Sequence, residues 1–160
     1  MRILGIDPGY GILGWSVVES DLTLVDYGTI ETSSLLSFDE RLLQIHNALR
    51  KIIDEYSPEF AAVEKLFFQN NTTTAMDVAK AIGAVILTLK ISDIGYEEYT
   101  PSQVKQAITG YGRAPKEQMQ QMIKRIFGIR EVPRPDDAAD ALAVAACHCM
   151  KIGNKNMAKI

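Results

Sequence analysis

Apolar residues fall into two kinds of segment along this chain, and the order of these segments predicts a mixed α/β fold. Residues 2–6, 12–18 and 22–30 are short and rich in β-branched or alternating apolar residues, as is typical of strands. The first of them ends at the turn Asp7-Pro8-Gly9, so we expect the second strand to return antiparallel to the first.

Longer segments carry the signals of helix ends. Ser37 and Glu40 form a capping box before an amphipathic helix that ends at Ser57-Pro58. Residues 72–90 predict a long helix that is rich in alanine and glycine. Three more helices are predicted to begin at prolines: at Pro101 after the N-cap Thr100, at Pro115 with an end at Gly128, and at Pro135-Asp136 with an end at about Met150.

Two further strands complete the predicted sheet. Residues 60–63 form a continuous apolar run that ends in Glu64, the pattern of a central parallel strand covered on both faces. Residues 96–99 form the last short strand. The order of elements predicts a five-stranded mixed sheet flanked by helices on both faces, with the first strand beside the strand that ends in Glu64. We expect one domain over residues 1–160, with the last few residues as a flexible basic tail.

Composition favours an ordinary cytoplasmic domain. A chain of 160 residues with 47% hydrophobic residues can bury a substantial core. The sequence has neither a run long enough to span a bilayer nor a signal-peptide pattern. Cys147 and Cys149 lie two apart on a predicted helix and point to different sides, so they do not bridge.

Charge is distributed unevenly. The net charge is −3, and setting aside the four acids discussed next gives −3 + 4 = +1 for the remainder. Basic residues outnumber acidic ones between residues 105 and 134, namely Lys105, Arg113, Lys116, Lys124, Arg125, Arg130 and Arg134 against Glu117 and Glu131. Solvated helix faces explain any one of them equally well, but a basic flank beside a carboxylate cluster favours a nucleic-acid substrate.

Four acids lie at positions where a catalytic site can form: two at strand ends and two near the start of a helix. Asp7 and Glu64 each end a buried strand, and neighbouring strands lie about 4.8 Å apart, so the two side chains can converge. Asp137 and Asp140 share one face near a helix start, and Asp140 is the lone acid of a mostly apolar helix. Turn formation explains Asp7 and an exposed strand end explains Glu64 as readily, while Asp136 fits a helix cap.

Converging carboxylates without a cation would raise one another's pKa values. Hard oxygen ligands without a histidine or cysteine cluster favour Mg²⁺ or Mn²⁺ over Zn²⁺. Two such ions, about 4 Å apart, can activate a water and stabilise the leaving oxygen of a phosphodiester. The acids therefore suggest a metal-dependent nuclease.

Two glycine motifs near the N-terminus are misleading. Gly9, Gly11 and Gly14 match G-x-G-x-x-G, but a dinucleotide site needs a helix to follow, and residues 12–18 have strand character. The same stretch has the spacing of a P-loop, but Trp15 stands where the lysine is needed.

Three segments together resemble the RuvC family of Holliday junction resolvases. They are GIDPG at 5–9, AVEKLFF at 62–68 and DDAADALAVAACH at 136–148, and their order and spacing agree over nearly the entire chain. The resemblance implies a ribonuclease H-like fold and a homodimer that joins through helix 72–90. It implies Mg²⁺-dependent, symmetric nicking of two strands of like polarity in four-way junction DNA during recombination and repair, with the RuvA–RuvB branch-migration complex as a partner.

The resemblance also implies residue roles. The catalytic and metal-binding acids fall on Asp7, Glu64, Asp137 and Asp140, with two Mg²⁺ per subunit that Mn²⁺ can replace. Phe67 falls where the family stacks an aromatic ring on a junction base, with Phe68 beside it, although either ring could instead pack in the core. Lys105 and Lys116, with Arg113 between them, fall at basic positions that contact DNA.

Three alternatives remain open from the sequence. A sugar-kinase-like phosphotransferase also opens with a strand, an acid and a glycine-rich hairpin, but it needs a larger chain. A module that binds junctions without cutting them would apply if the carboxylates bound no metal. A ribonuclease H-like nuclease could also act on RNA, since fold does not fix substrate. The pI of about 5.4 is low for a junction-binding protein.

Overall fold

The structure is a computed structural model that describes residues 1–65 and 72–157. In these ranges the chain forms five strands and five helices, in the order β1 (Arg2–Asp7), β2 (Ile12–Glu19), β3 (Leu24–Glu31), α1 (Phe38–Tyr56), β4 (Phe60–Glu64), α2 (Thr72–Ile91), β5 (Gly95–Tyr99), α3 (Pro101–Thr109), α4 (Lys116–Phe127) and α5 (Asp136–Met157). The predicted elements are all present, so the predicted mixed α/β architecture is confirmed.

The strands form one sheet in the order β3-β2-β1-β4-β5. Strand β1 is central because it pairs antiparallel with β2 and parallel with β4, as the turn after Asp7 and the apolar run before Glu64 predicted. Strand β5 adds in parallel beyond β4. Ala61, Ala62 and Val63 of β4 are fully buried, which is the expected result for a strand covered on both faces.

Helices cover the sheet on both faces. Residues of α3, α4 and α5 form one core cluster with residues of β1, β2, β4 and β5, while α1 and α2 form a second cluster on the opposite face. Helix α5 is almost entirely buried through its middle, from Ala141 to Cys149. In the part of the chain that the structure describes, no helix combines the length and apolarity needed to cross a membrane.

Helix ends follow local chemistry at most positions. Ser37 and Thr100 both form capping boxes, with Glu40 and Gln103 as their partners, and Pro101 lies in the first turn of α3. Pro115 differs from its predicted place inside the first turn: it is the N-cap of α4, without a side-chain cap. The expected end of α5 at about Met150 was too early, because the helix continues to Met157.

Small residues let α5 lie close to the sheet. A Cβ added to Gly5 would lie 2.2 Å from the carbonyl oxygen of Ala141, so only glycine fits at this crossing. The Ser16 hydroxyl donates to the same carbonyl at 2.9 Å. This contact fixes the height of α5 above β1 and β2, and therefore the position of the acids at the start of the helix.

Helix α2 divides its small residues between two surroundings. Ala75 and Ala81 are buried against the body of the protein, whereas Ala79 and Gly83 are exposed. A Cβ added to Gly83 would meet nothing within 4 Å. The exposed small residues thus lie on an open helix face.

Candidate active site

Two parallel strands bring Asp7 and Glu64 together. Ile6 pairs with Val63 in the β1–β4 ladder, so the next residues, Asp7 and Glu64, leave neighbouring strands at the same edge of the sheet. Both side chains are half-buried and a hydrogen bond joins them. The two strand-end acids therefore converge, as the strand pattern predicted.

Glycine 14 brings the start of α5 to the same edge. Gly14 pairs with Asp7 across the β1–β2 hairpin, and a Cβ on Gly14 would lie 1.9 Å from the backbone oxygen of Asp137. Any other residue would push the helix start away from Asp7. Sequence reasoning classed Gly14 only as part of a misleading glycine motif; the signal that was available is the pairing of strand glycines with an alanine-rich helix.

The start of α5 places Asp137 and Asp140 near the strand-end acids. The charge of Asp137 acts on Asp7, and the charge of Asp140 acts on Glu64. Asp136 does not join them. It is the first residue of α5 rather than the predicted cap, and its carboxylate binds Lys116 at 2.7 Å and accepts from Gln120 at 3.2 Å.

Burial and crowding raise the pKa values of Asp7, Glu64 and Asp140. Burial, followed by the hydrogen bond and charge of Glu64, raises the pKa of Asp7 to about 9. Burial, followed by the charge of Asp7, raises the pKa of Asp140 to about 6. The pKa of Glu64 is also raised by burial, although the hydrogen bond from Asp7 opposes that shift. A protonated Asp7 thus donates to an ionised Glu64.

Lysines flank the acids on one side. A cavity of about 250 Å³ is lined by Glu64 and Asp140 together with Lys105 of α3 and Lys116 of α4. The charge of Lys105 acts on Glu64, and the charges of Asp140 and Asp137 raise the pKa of Lys116 after its stronger contact with Asp136. Two of the predicted basic residues therefore lie at the acids.

The remaining predicted DNA-contacting residues have different outcomes. Arg113 is exposed in the connection between α3 and α4 and does not line the cavity that holds Lys105 and Lys116. Phe67 and Phe68 lie outside the described residues.

A second, smaller cavity also borders Glu64. It measures about 160 Å³ and is lined by Asp7, Pro8 and Glu64 with Val78 and Ile82 of α2 and Pro101 of α3. Glu64 and Pro101 therefore line both cavities.

The chemistry of the acids fits a hard divalent cation. Four carboxyl groups lie near one another with too little positive charge to neutralise them, and a hard divalent cation would relieve their mutual repulsion. In the present arrangement, no three acidic, histidine or cysteine side chains within residues 1–65 and 72–157 are grouped closely enough to hold an ion. A shared ion would therefore require these carboxylates to move closer together.

A further cavity, of about 900 Å³, lies beside α3 and α5. Its walls come from the β2–β3 turn, α3 and the second half of α5. Cys147 and Cys149 border it as free thiols, in agreement with the prediction that they do not bridge. None of the four acids lines this cavity.

Comparisons with known proteins agree on one family. The family model described as crossover junction endodeoxyribonuclease RuvC matches residues 3–148. A crossover junction endodeoxyribonuclease RuvC of Caldicellulosiruptor saccharolyticus is 49% identical over 154 residues, which cover 94% of this chain and 93% of that protein.

Solved structures agree as well. RuvC of Thermus thermophilus in complex with a Holliday junction substrate superposes with a TM-score of 0.90 at 36% identity and covers 97% of this chain and 96% of its own. The yeast mitochondrial Holliday junction resolvase Ydc2 shares the fold, with a TM-score of 0.64 at 14% identity over 98% of this chain and 84% of its own.

Proposed function

Because this chain belongs to the RuvC family of crossover junction endodeoxyribonucleases, we propose that it resolves four-way DNA junctions by nicking two strands of like polarity. The fold is that of the ribonuclease H-like resolvases, and the matched structure is bound to a Holliday junction substrate. Within this chain, one observation carries the proposal: Asp7 and Glu64 share a hydrogen bond at the edge of the sheet, with the charges of Asp137 and Asp140 acting on them.

We propose Asp7, Glu64, Asp137 and Asp140 as the catalytic acids and as the groups that hold two Mg²⁺ ions per subunit, with Mn²⁺ able to substitute. Their all-oxygen donor set and the raised pKa values of Asp7 and Asp140 support this assignment. When bound, the ions would lower the pKa of the attacking water and stabilise the leaving oxygen.

The chain's own residues would prepare this site. Asp7 must give up the proton that it shares with Glu64 before its carboxylate can act as a ligand. Lys116 is held beside Asp140 by its ion pair with Asp136, and Lys105 lines the same cavity. Both lysines are placed to bind the phosphate backbone next to the acids. For Phe67, Phe68 and Arg113, contact with DNA remains a prediction.

We also propose a homodimer formed through α2. The exposed face of this helix carries large apolar side chains next to Gly83: Met76 is 62% exposed, and Leu87 and Ile91 are each 59% exposed. Exposed apolar side chains grouped along one helix in this way are typical of an interface. A two-fold dimer would match the two-fold symmetry of a four-way junction.

The dimer is tested by solution mass. Light scattering should give a dimer for the wild-type protein and a monomer for Leu87→Arg. Leu35→Arg is the matched control, because Leu35 is 95% exposed on the connection between β3 and α1 rather than on α2. A monomeric wild type would overturn the proposal. The RuvA–RuvB complex as partner and the cytoplasm as location remain expectations that rest on family membership.

A cleavage assay tests the function itself. A synthetic four-way junction, a duplex of the same arm sequence and a structured RNA are incubated with Mg²⁺, Mn²⁺ or EDTA. We expect paired nicks in the junction only, dependent on either metal ion. Asp7→Asn should remove nicking and retain junction binding. Equal cleavage of duplex or RNA would overturn the junction assignment, and nicking by Asp7→Asn would overturn the site.

A further inference from the structure

A cluster of aromatic and basic side chains lies on the side of the Asp7 loop away from Lys105 and Lys116. It consists of Tyr10, Phe38, Arg41 and Lys80, and we call it the Tyr10–Arg41 platform. The rings of Tyr10 and Phe38 lie 5.8 Å apart between centroids. The guanidinium carbon of Arg41 lies 4.8 Å from the Tyr10 centroid, and the Lys80 ammonium lies 5.0 Å from the Phe38 centroid.

The platform is tied to the loop that follows Asp7. Tyr10 is three residues after Asp7 in the β1–β2 connection. The Thr32 hydroxyl donates to the Tyr10 carbonyl, and Arg41 Nε donates to that hydroxyl at 2.8 Å. Lys80 lies on α2, the helix that also contributes Val78 and Ile82 to the small cavity with Asp7. The platform and the acids therefore adjoin the same loop.

Arg41 has binding capacity that the protein does not use. Its side chain is half-buried, yet it forms no ion pair with any acid in residues 1–65 or 72–157. Only Nε has an acceptor among the described groups, so both terminal nitrogens are available. A Cβ on Gly11 would lie 3.4 Å from one of these nitrogens, so that nitrogen lies close to the β1–β2 connection.

These features define the ligand by its chemistry. A flat, fixed guanidinium with two unpaired terminal nitrogens matches the oxygens of a phosphate, and the Tyr10 ring behind it keeps the group oriented. Lys80 adds a second positive charge on the same side, although Asp77 at 3.4 Å partly balances it. If the strand that carries the scissile phosphate continues past the loop after Asp7, its backbone meets this platform.

We propose that Arg41, supported by Tyr10 and aided by Lys80, binds a backbone phosphate of the strand that passes through the active site. This inference rests on the proposed junction-nicking function. Lys105 and Lys116 would then hold the strand on one side of the acids, and the Tyr10–Arg41 platform would hold it on the other. The acids would act on a strand that is fixed at two places.

The test is the salt dependence of DNA binding in EDTA, where no nicking occurs. Fluorescence anisotropy gives the dissociation constant over a series of NaCl concentrations, for a four-way junction and for a duplex of the same arm sequence. Arg41→Gln should weaken binding about 3- to 30-fold and lower the slope of log K against log salt by about 1, because one phosphate contact is lost.

Arg50→Gln is the matched control. It removes the same charge from the same helix, but Arg50 is already paired with Asp54 at 3.6 Å and donates to Ser92 at 3.2 Å. Its salt slope should equal that of the wild type. Arg41→Lys should keep the slope and recover part of the affinity. Lys80→Gln should lower the slope by less than Arg41→Gln, with the exposed Lys51→Gln as its control.

Each outcome has one meaning. An unchanged slope for Arg41→Gln, or equal slopes for Arg41→Gln and Arg50→Gln, would overturn the phosphate contact and leave Arg41 as a support for the loop. If Arg41→Gln does not fold, the comparison of Lys80→Gln with Lys51→Gln decides the proposal. A wild type that binds junction and duplex equally would overturn the proposed function but leave the comparison of slopes intact.

Discussion

Acidic side chains lie near α5 at two places, and the two places differ in how the acidic charge is balanced. In the second half of the helix, Glu97 of β5 binds Lys151 and accepts a hydrogen bond from Tyr99 at 3.0 Å. The contact with Lys151 lowers the pKa of Glu97. At the start of the helix, burial raises the pKa values of Asp7, Glu64 and Asp140.

The difference distinguishes an acid with a structural role, Glu97, from the acids that we propose as catalytic. Glu97 belongs to a satisfied network that includes Tyr99 and the buried His148, whose ring stacks on Phe60 at 4.6 Å. Such a network stabilises the fold and leaves little capacity for a ligand. The buried acids near the start of α5 destabilise the metal-free protein, and a bound cation would remove that destabilisation.

Loss of one carboxylate from each group gives the largest contrast. Asp140→Asn should lower the rate of junction nicking at least about 100-fold, because a group placed at the reacting centre is lost. Glu97→Gln should nick at the wild-type rate. Single-turnover assays with saturating Mg²⁺ measure both, and equal losses for the two variants would break the distinction.

The two lysines extend the comparison with a smaller effect. Lys116→Met should slow nicking by roughly 10- to 100-fold, because a positive charge beside Asp140 and the substrate phosphate is removed. Lys151→Met should leave the nicking rate unchanged, because its partner Glu97 takes no part in the reaction. The same single-turnover assay applies, and a slow Lys151→Met would show that the two groups are coupled.

The pH dependence of stability should have opposite signs in the two groups. The pKa of Asp140 is raised to about 6 and the pKa of Asp7 to about 9. The stability that each group contributes at low pH is therefore lost as pH rises through its raised pKa. Each would cost at most about 1.4 kcal/mol per pH unit in that window. The pKa of Glu97 is lowered, so its contribution is lost in acid.

Thermal melting in EDTA from pH 6 to pH 9 measures the effect of Asp7, because the contribution of Asp140 is already lost by about pH 6. The melting temperature of the wild type should fall across this range, and Mg²⁺ should reduce the fall because the cation replaces protons. A flat profile in EDTA would contradict the raised pKa values.

The smallest expected effects are on stability at one pH. At pH 8 in EDTA, Asp7→Asn should raise the melting temperature by about 2–8 °C, equivalent to about 1–2 kcal/mol, because a neutral amide replaces an acid that is costly to ionise. Glu97→Gln should lower it by no more than about 4 °C, since Glu97 is 39% exposed and its ion pair is screened. Calorimetry measures both melting temperatures. A lower melting temperature for Asp7→Asn would contradict the inference that Asp7 destabilises the metal-free protein.

The sequence correctly predicted those features of the fold that depend on local residue patterns. The capping boxes at Ser37 and Thr100 depend on residues three apart, and the strands that end in Asp7 and Glu64 depend on runs of apolar residues, so both were predicted correctly. The family resemblance, rather than spacing, distinguished Asp137 from Asp136. It could not show that Asp136 would bind Lys116 of another helix.

Contacts between distant segments were not predictable. Nothing in the segment around Glu97 indicates Lys151 as its partner, because 54 residues separate the two. The contact of Arg41 with Tyr10 depends in the same way on how α1 lies against the β1–β2 hairpin. The end of α5 was also missed, because the polar residues after Met150 look like a tail in sequence and continue the helix in three dimensions.

The missing side chain of Gly14 makes the active site vulnerable to a change that touches no acid. With a Cβ at 1.9 Å from the Asp137 carbonyl oxygen, Gly14→Ala would force the start of α5 away from the hairpin. All four carboxylates would remain in the sequence, yet the cation site proposed for them would be lost. An inspection of catalytic residues alone would class such a variant as active, so surveys of natural or engineered resolvases should count this glycine as part of the catalytic signature.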